Sequence, residues 1–406
     1  MAEAPVGHEA GQGAAGGARS GIHTDPHEAL RERVRRVCAD FPGPYWQEVD
    51  QARGYPEAFV RALTESGLLS ALIPQHYGGM GLTLAATSAV LEEINACGCN
   101  AGVAHAQIYT MGTILRHGSE RQKAEILPAL ARGEMRLQVF GVTEPESGSD
   151  TTNIRTTAER VGDHYVVNGE KTYIGRGAHS DLMILLARTT PRDRVAKKTD
   201  GLTVLLVDMR EARGAGLEIQ PLRTLMNQGA CALSFKDLKV PVENRIGEEG
   251  KGFRYILDGM NAERLLIAAE CVGDARWFIR QSVEWGNQRQ IFGGPVGRNQ
   301  GVQFPIARSY ASMRAAALMV ERGCALFDAG ERPGEEANMA LLLASEASWE
   351  AGNAAIQTFG GRGFDAAFDV ERKFRETRLY QVAPISKNLI LSYLAVHVLG
   401  LPRSFE

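Results

Sequence analysis

Apolar and polar positions follow three successive textures along the chain. From about residue 26 to 138 the apolar residues recur at helical spacing, as in Ala29, Val34, Val37 and Phe41, and again in Phe59, Leu63 and Leu68. Breaks fall at Pro42-Gly43-Pro44 and at Tyr77-Gly78-Gly79-Met80-Gly81. Residues 83–97 and 119–132 read as further helices. From about 139 to 246 the pattern shortens into β-rich runs, Tyr165-Val166-Val167, Met183 to Leu186, Thr203 to Val207 and Leu217 to Ile219, bounded by Gly, Asn, Asp and Pro. Asn168-Gly169 carries a tight-turn signal, and the charged stretch from Thr189 to Gly201 reads as an exposed loop. From about 247 the helical period returns in longer segments, near 252–285, 300–329, 334–359 and 380–399. No internal repeat is present. The predicted organisation is a disordered N-terminal extension over 1–25, an α-helical domain over 26–138, a β-domain over 139–246 and a second helical domain over 247–406.

Composition narrows the function classes. A chain of 406 residues with 44% hydrophobic content supports two or three domains with sizeable cores. A net charge of -3 offers no basic footprint for nucleic acid or an anionic membrane. No apolar run approaches the ~20 residues needed to span a bilayer. The Gly/Ala-rich opening carries Glu3 and Glu9 with a single Arg and lacks the apolar core of a secretion signal. The six cysteines are scattered. Only Cys97 and Cys99 lie close, and no second Cys/His pair completes a zinc pattern. These features point to a reducing, cytoplasmic setting and to no metal centre.

Chemistry concentrates around Glu263. It lies in Met260-Asn261-Ala262-Glu263-Arg264-Leu265-Leu266-Ile267, with Ile256, Met260, Leu266 and Ile267 at helical offsets that make its face largely apolar. An acid on such a face is either one half of an ion pair or a perturbed, functional carboxylate. Other segments read alone as turns: Val142-Thr143-Glu144-Pro145-Glu146-Ser147-Gly148-Ser149-Asp150, the Gly-rich turn Ile73 to Leu82, and Gln357-Thr358-Phe359-Gly360-Gly361-Arg362-Gly363-Phe364. The last is not a dinucleotide-binding loop, since no strand precedes it and no βαβ unit follows.

Taken together, these segments resemble the acyl-CoA dehydrogenase family over about residues 30–400. The resemblance implies an N-terminal α-helical domain, a middle β-barrel or sandwich domain and a C-terminal four-helix bundle. It also implies FAD as cofactor. The flavin contacts it implies are Phe140, Val142, Thr143 and Ser149 in the first segment, and Tyr173 and Gly175 in Asn168 to Gly177. Further contacts are Arg289, Phe292 and Gln300 in the motif that opens Arg289-Gln290-Ile291-Phe292, then Gln357, Gly360 and Gly361, and Ser386. The family usually has Trp at Tyr173 and Thr or Ser at Gly175. Ser149 and Arg264 are the implied substrate contacts, Arg264 on the CoA moiety.

The resemblance also ranks two places for the base. Some members carry it in a Tyr-Glu-Gly-Thr segment that falls here on Ala383-Pro384-Ile385-Ser386, where proline cannot accept a proton. A subgroup including isovaleryl-CoA dehydrogenase carries Glu immediately before Arg, as Glu263-Arg264 does. Glu263 is therefore the expected base for α-proton removal, with the β-hydride going to flavin N5. Glu270 and His105 read as structural. The implied partners are an acyl-CoA or an acyl carrier protein substrate, an electron-transferring flavoprotein, and further copies of the chain in a dimer of dimers. An oxidase or monooxygenase of the same fold, and a non-catalytic acyl-CoA-binding protein, remain the alternatives.

Overall fold

A computed structural model describes residues 25–404. The extension expected over 1–25 lies outside the described residues, apart from Asp25. The first helical region contains α1 (Glu28–Ala39), α2 (Gly43–Gln51), α3 (Glu57–Glu65), α4 (Leu84–Ala96), α5 (Gly102–His117) and α6 (Glu120–Arg132). Local sequence sets several of their ends. Thr83 accepts from the Ala86 amide to cap α4, and Ser119 and Gln122 form a reciprocal capping box on α6. The Asp328 carboxylate accepts from the Leu84 and Ala85 amides at 2.8 and 3.0 Å. That bond places an acid on the positive end of α4 and ties the last helical region to the first.

Helix α5 has no counterpart in the sequence expectation. Its residues Val103, Ala104 and Ala106 to Ile114 are all buried. A helix buried on nearly every side shows no amphipathic period, so its apolar stretch gave no helical signal.

The middle region follows with β1 (Leu137–Gly141), β2 (Thr157–Val161), β3 (His164–Ile174), β4 (Leu182–Arg188), β5 (Leu202–Asp208), a short helix α7 (Met209–Ala212), β6 (Leu217–Pro221), β7 (Cys231–Pro241) and β8 (Arg245–Ile246). All eight strands belong to one mixed sheet, ordered β6-β7-β3-β2-β4-β5-β8, with β1 parallel to β4. Both faces of β4 are buried. Leu182, Ile184 and Leu186 join the core shared with the helices, while Met183, Leu185 and Ala187 join a second core made by the sheet itself. This explains why 183–186 reads as a continuous apolar run rather than an alternating one.

The turn expected at Asn168-Gly169 is absent. The two residues sit inside β3, and the hairpin turn is Gly162-Asp163 instead. Asn168 bonds Asp237 across the ladder, opposite an extra residue in β7. Gly169 has φ +141°, and a Cβ there would stand 2.6 Å from Thr156 Cα. Gly is thus required by a close approach of strands, not by a reversal.

The last region holds α8 (Gly252–Gln288), a small hairpin of β9 (Gln290–Ile291) and β10 (Gly294–Pro295), α9 (Gln300–Asp328), α10 (Gly334–Phe359), α11 (Val370–Thr377) and α12 (Lys387–Tyr393). Helix α8 packs against α4 as well as α9 and α10. At their closest point Gly273 leaves no room for a side chain, since a Cβ would lie 2.2 Å from the Glu92 carbonyl oxygen. The helix expected over 380–399 is broken. A 3-10 turn spans Arg378–Gln381, and α12 starts only at Lys387, capped by Ser386, which accepts from the Leu389 amide. Pro384 has no N–H to donate to a helix and disfavours helical geometry before it. The fourth position of the bundle is therefore built from short pieces.

Candidate active site

Glu263 stands on the buried face of α8, 9% exposed, opposite α5. Burial pushes its carboxyl up to about 7, while His105, Arg264 and the Tyr109 hydroxyl pull it down and Glu270 adds to the rise. Two helical turns further along α8, Glu270 is held by several groups. His105 Nδ1 lies 2.8 Å from Glu270 Oε1, an ionic approach that falls short of an aligned hydrogen bond. Tyr380 donates to Glu270 Oε2 at 3.0 Å, and Asn95 donates to the Glu270 backbone oxygen at 3.1 Å. Burial lowers the proton affinity of His105, but the Glu270 charge outweighs it and raises the imidazole above its ordinary value. The order along the α5–α8 seam is Arg116 with Gly259, Tyr109 with Glu263, then His105 with Glu270. Arg116 and the half-exposed Asp258 mark the outer end, and the buried His105–Glu270 group closes the inner one.

The structure gathers Thr143, Tyr173 and Gly175 at one edge of the sheet. The Thr172 amide donates to the Thr143 carbonyl at 2.9 Å, joining the end of β3 to the loop after β1. Beneath that loop Lys171 is fully buried and donates to Glu144 Oε1 at 2.8 Å and to the Val142 carbonyl at 3.0 Å. Glu144 also accepts from the amides of Arg155 and Thr156. Burial lowers Lys171 to about 8 despite that partner. Phe140, Val142 and Ser149 lie on the same stretch, Ser149 exposed. Two residues of β3 oppose one of β7 between Lys171 and Ile174, and this bulge turns Tyr173 outward at φ +56° and 66% exposure.

A second group assembles around Trp285. Phe359 stacks on it at 4.9 Å and Arg362 lies 4.9 Å over its ring. Arg289 caps α8, Gln300 opens α9, and the β9–β10 turn projects Phe292 with 94% exposure at φ +48°. Gln357, Gly360 and Gly361 are exposed beside them, and no atom lies within 4 Å of a Cβ built on Gly148, Gly360 or Gly361. Outward aromatic rings beside open glycine backbone fit a planar ring and a dinucleotide tail. No hydrogen bond or aromatic contact joins the Trp285 group to the Tyr173 group among the described residues. Ser386 is engaged as a helix cap, and Arg264 bonds Asn261 on its own helix.

Three family models match in sequence order: "Acyl-CoA dehydrogenase, N-terminal domain" over 24–134, "middle domain" over 139–238 and "C-terminal domain" over 250–384. The chain belongs to the acyl-CoA dehydrogenase family. It is an oxidoreductase of that family, and FAD is its cofactor. Among curated relatives, the cyclohex-1-ene-1-carbonyl-CoA dehydrogenase of Syntrophus aciditrophicus (strain SB) is 33% identical, covering 88% of this chain and 86% of that protein. Among solved structures, butyryl-CoA dehydrogenase from Megasphaera elsdenii superposes with a TM-score of 0.86 at 26% identity, covering 94% of this chain and 100% of that one. The prolyl acyl carrier protein oxidase AnaB superposes equally well, TM-score 0.86 at 25% identity, over 94% and 100%.

Four groups near the seam were absent from the sequence expectation as functional residues or were read as structural. They are Tyr109, His105, Glu270 and Arg176. A signal for Glu270 was present, because a second acid seven residues from Glu263 occupies the same face of a helix that is otherwise apolar. Tyr109 and His105 carried none, since α5 itself was not visible. No helix among the described residues is long and apolar enough to cross a membrane, and no group of three or more metal-binding side chains occurs among them.

Proposed function

We propose that the protein dehydrogenates an acyl thioester, acyl-CoA first, between the α and β carbons, with Glu263 as the base. The observation that carries this reading is Glu263 itself: a buried carboxylate raised to about 7, facing Tyr109 across the α5–α8 seam, in a chain whose other family position is Pro384. Glu263 takes the α-proton onto a carboxylate oxygen. Bound FAD supplies the acceptor for the hydride leaving the β carbon. A base that titrates near neutrality is matched to a weakly acidic C–H and becomes increasingly available as pH rises past neutral. Arg264 and Ser149 would contact the thioester's carrier.

The separation of the Tyr173 and Trp285 groups supports a flavin bound by two copies of the chain. Phe304, Tyr310 and Leu318 on α9, with Leu399 and Leu401 beyond α12, leave apolar surface for such contacts. Electrons would leave to an electron-transferring flavoprotein. All six cysteines are free thiols, in keeping with a cytoplasmic setting.

The deciding experiment is an anaerobic titration of the FAD-loaded protein with acyl-CoAs, followed at the flavin's visible band. Bleaching by wild type, lost in Glu263→Gln, supports the reading. Equal bleaching by both would remove Glu263 as the base. Bleaching only with a carrier-protein thioester would move the substrate to that class.

A further inference from the structure

We propose that the inner end of the acyl pocket is built around Arg176 to hold a carboxylate, so that the substrate is a short acyl thioester ending in an anionic group. The inference rests on the acyl-thioester reading above and names its substrate class.

The α5–α8 seam has a direction. Its outer end is open at Arg116 and Asp258, and its inner end closes on His105, Glu270 and Tyr380. Glu263 and Glu270 are seven residues apart, about 10 Å along the helix axis. That length excludes a long hydrocarbon tail between the base and the closed end. The closed end is polar, and an alkyl terminus there would face three hydrogen-bonding side chains without satisfying any.

Arg176 supplies the unmatched charge. It follows Gly175 at the end of β3, in the left-handed region at φ +60°, pinned by its own amide donating to the Gly229 carbonyl at 2.8 Å. Its Nε is buried with no partner, and its guanidinium makes no side-chain hydrogen bond or ion pair among the described residues. Gly102 at the start of α5 makes room for it, since a Cβ there would stand 2.7 Å from Arg176 Nη2. Glu270 is near enough to be felt by the guanidinium but forms no ion pair with it; its Oε2 accepts from Tyr380, and its Oε1 lies 2.8 Å from His105 Nδ1 without an aligned hydrogen bond. A desolvated, unpaired cation is costly, and a strained backbone that holds one in place marks a site where a ligand supplies the missing partner.

Space for that partner is present. Arg176 lines a cavity of about 40 Å³ with Tyr55, Asn100, Val103 and Asn227, beside the first turn of α5; Asp50 and Glu376 also line it, each already paired with an arginine, Arg375 and Arg372. His105 lies close enough to feel the Arg176 charge. By the volume one water needs, the cavity holds roughly three water-sized groups, the size of a carboxylate. Guanidinium is the side chain best shaped to grip a carboxylate through two parallel N–H donors.

The test is anaerobic flavin bleaching of the FAD-loaded protein with matched pairs of equal chain length, glutaryl-CoA against valeryl-CoA and adipyl-CoA against hexanoyl-CoA. The carboxylated member of a pair is expected to bleach at a concentration at least about 10-fold lower. Arg176→Gln is expected to collapse that ratio by roughly 10- to 100-fold, the usual weight of a charge-assisted hydrogen bond, and Arg176→Lys to keep part of it. FAD absorbance of each variant reports that the site is assembled. Bleaching by the neutral chains alone, or at equal concentrations, would overturn the carboxylate assignment and leave the dehydrogenase standing. A variant that shifts the flavin spectrum or potential with the ratio unchanged would show that Arg176 serves the flavin, which also overturns it. No bleaching by any acyl-CoA would fell the acyl-thioester reading and this inference with it.

Discussion

Glu263→Gln removes one ionisable proton and little else, so it separates the cost of burying the base from its use. The folded carboxyl binds its proton up to about 7, against an ordinary value of 4.5. Folding therefore favours the protonated form. Below about pH 4.5 the group is protonated in both states and carries no penalty. Between 4.5 and 7 the unfolded state has already lost its proton while the folded state retains it, so stability falls as pH rises. Above about 7 the penalty is constant. At 1.36 kcal/mol for each pKa unit this amounts to about 3 kcal/mol. The amide of Gln keeps the shape without the charge. The variant should therefore match wild type near pH 4.5 and exceed it by up to about 3 kcal/mol at pH 8, in unliganded protein. Thermal denaturation of both proteins across pH 4.5–8 reads this as a gap in Tm that opens with pH. In the same variant, flavin reduction by acyl-CoA should fall by roughly 10²–10⁴-fold, the usual range for a positioned general base. A Tm difference that does not change with pH would refute the buried-charge argument, whatever the rate does.

Tyr109→Phe removes a hydroxyl that lowers the Glu263 pKa. The pH midpoint of wild-type flavin reduction should lie near 7, and that of the variant should move to higher pH; a midpoint that stays or falls would place the hydroxyl elsewhere. Lys171→Met strands Glu144 in the interior with only its two amide donors, at a cost of about 3–5 kcal/mol. It should lower both Tm and FAD retention, because the Thr143 loop rests on that pair. Gly273→Ala drives a methyl into the Glu92 carbonyl where α8 crosses α4. A loss of about 1–3 kcal/mol is expected from overpacking, and chemical denaturation showing none would mean the helices separate freely.

Legibility in the sequence followed one-sidedness in several elements but not in all, since α4, buried at every position but Ala85 and Glu92, was still read over 83–97. Helices α8, α9 and α10 begin and end close to where their apolar periods do, because each keeps a solvent face that makes the period visible. Helix α5 was silent for the opposite reason, and with it went Tyr109 and His105, the two side chains that give Glu263 its surroundings. Asn168-Gly169 misled because a turn and a close strand approach call for the same residue: both need a position without Cβ, and only the partner strand distinguishes them. The broken stretch after Arg378 turned on Pro384, which marks the lost base and the lost helix at once. Glu263 was legible since its face is otherwise apolar. Arg176 was not, since its meaning lies in having no partner, and partners are set by packing that brings α5 against the end of β3.

The two acids of α8 show how one helix face carries two different tasks. Glu270 has the Tyr380 hydroxyl bonded to one carboxylate oxygen and the His105 imidazole 2.8 Å from the other, so its negative charge is met by protein. Glu263 has no such bonded set, and burial is the largest influence on it, which leaves its proton available at the pH where the base must turn over. Exchange of the surroundings would exchange the roles. A donor placed firmly on Glu263 would lower its pKa and weaken it as a base, while removal of His105 would leave Glu270 with less to hold its charge. Repulsion from Glu270 is one of the influences that raise Glu263, whereas the positive His105 lowers it. His105→Asn should therefore push the Glu263 midpoint upward through two changes of the same sign, the loss of an attractive cation and the unmasking of the Glu270 charge. Both act across a buried seam where water screens little. The shift should thus exceed that of Tyr109→Phe, and the reverse order in measured pH profiles would show that the Tyr109 hydroxyl, not the inner cluster, sets the base.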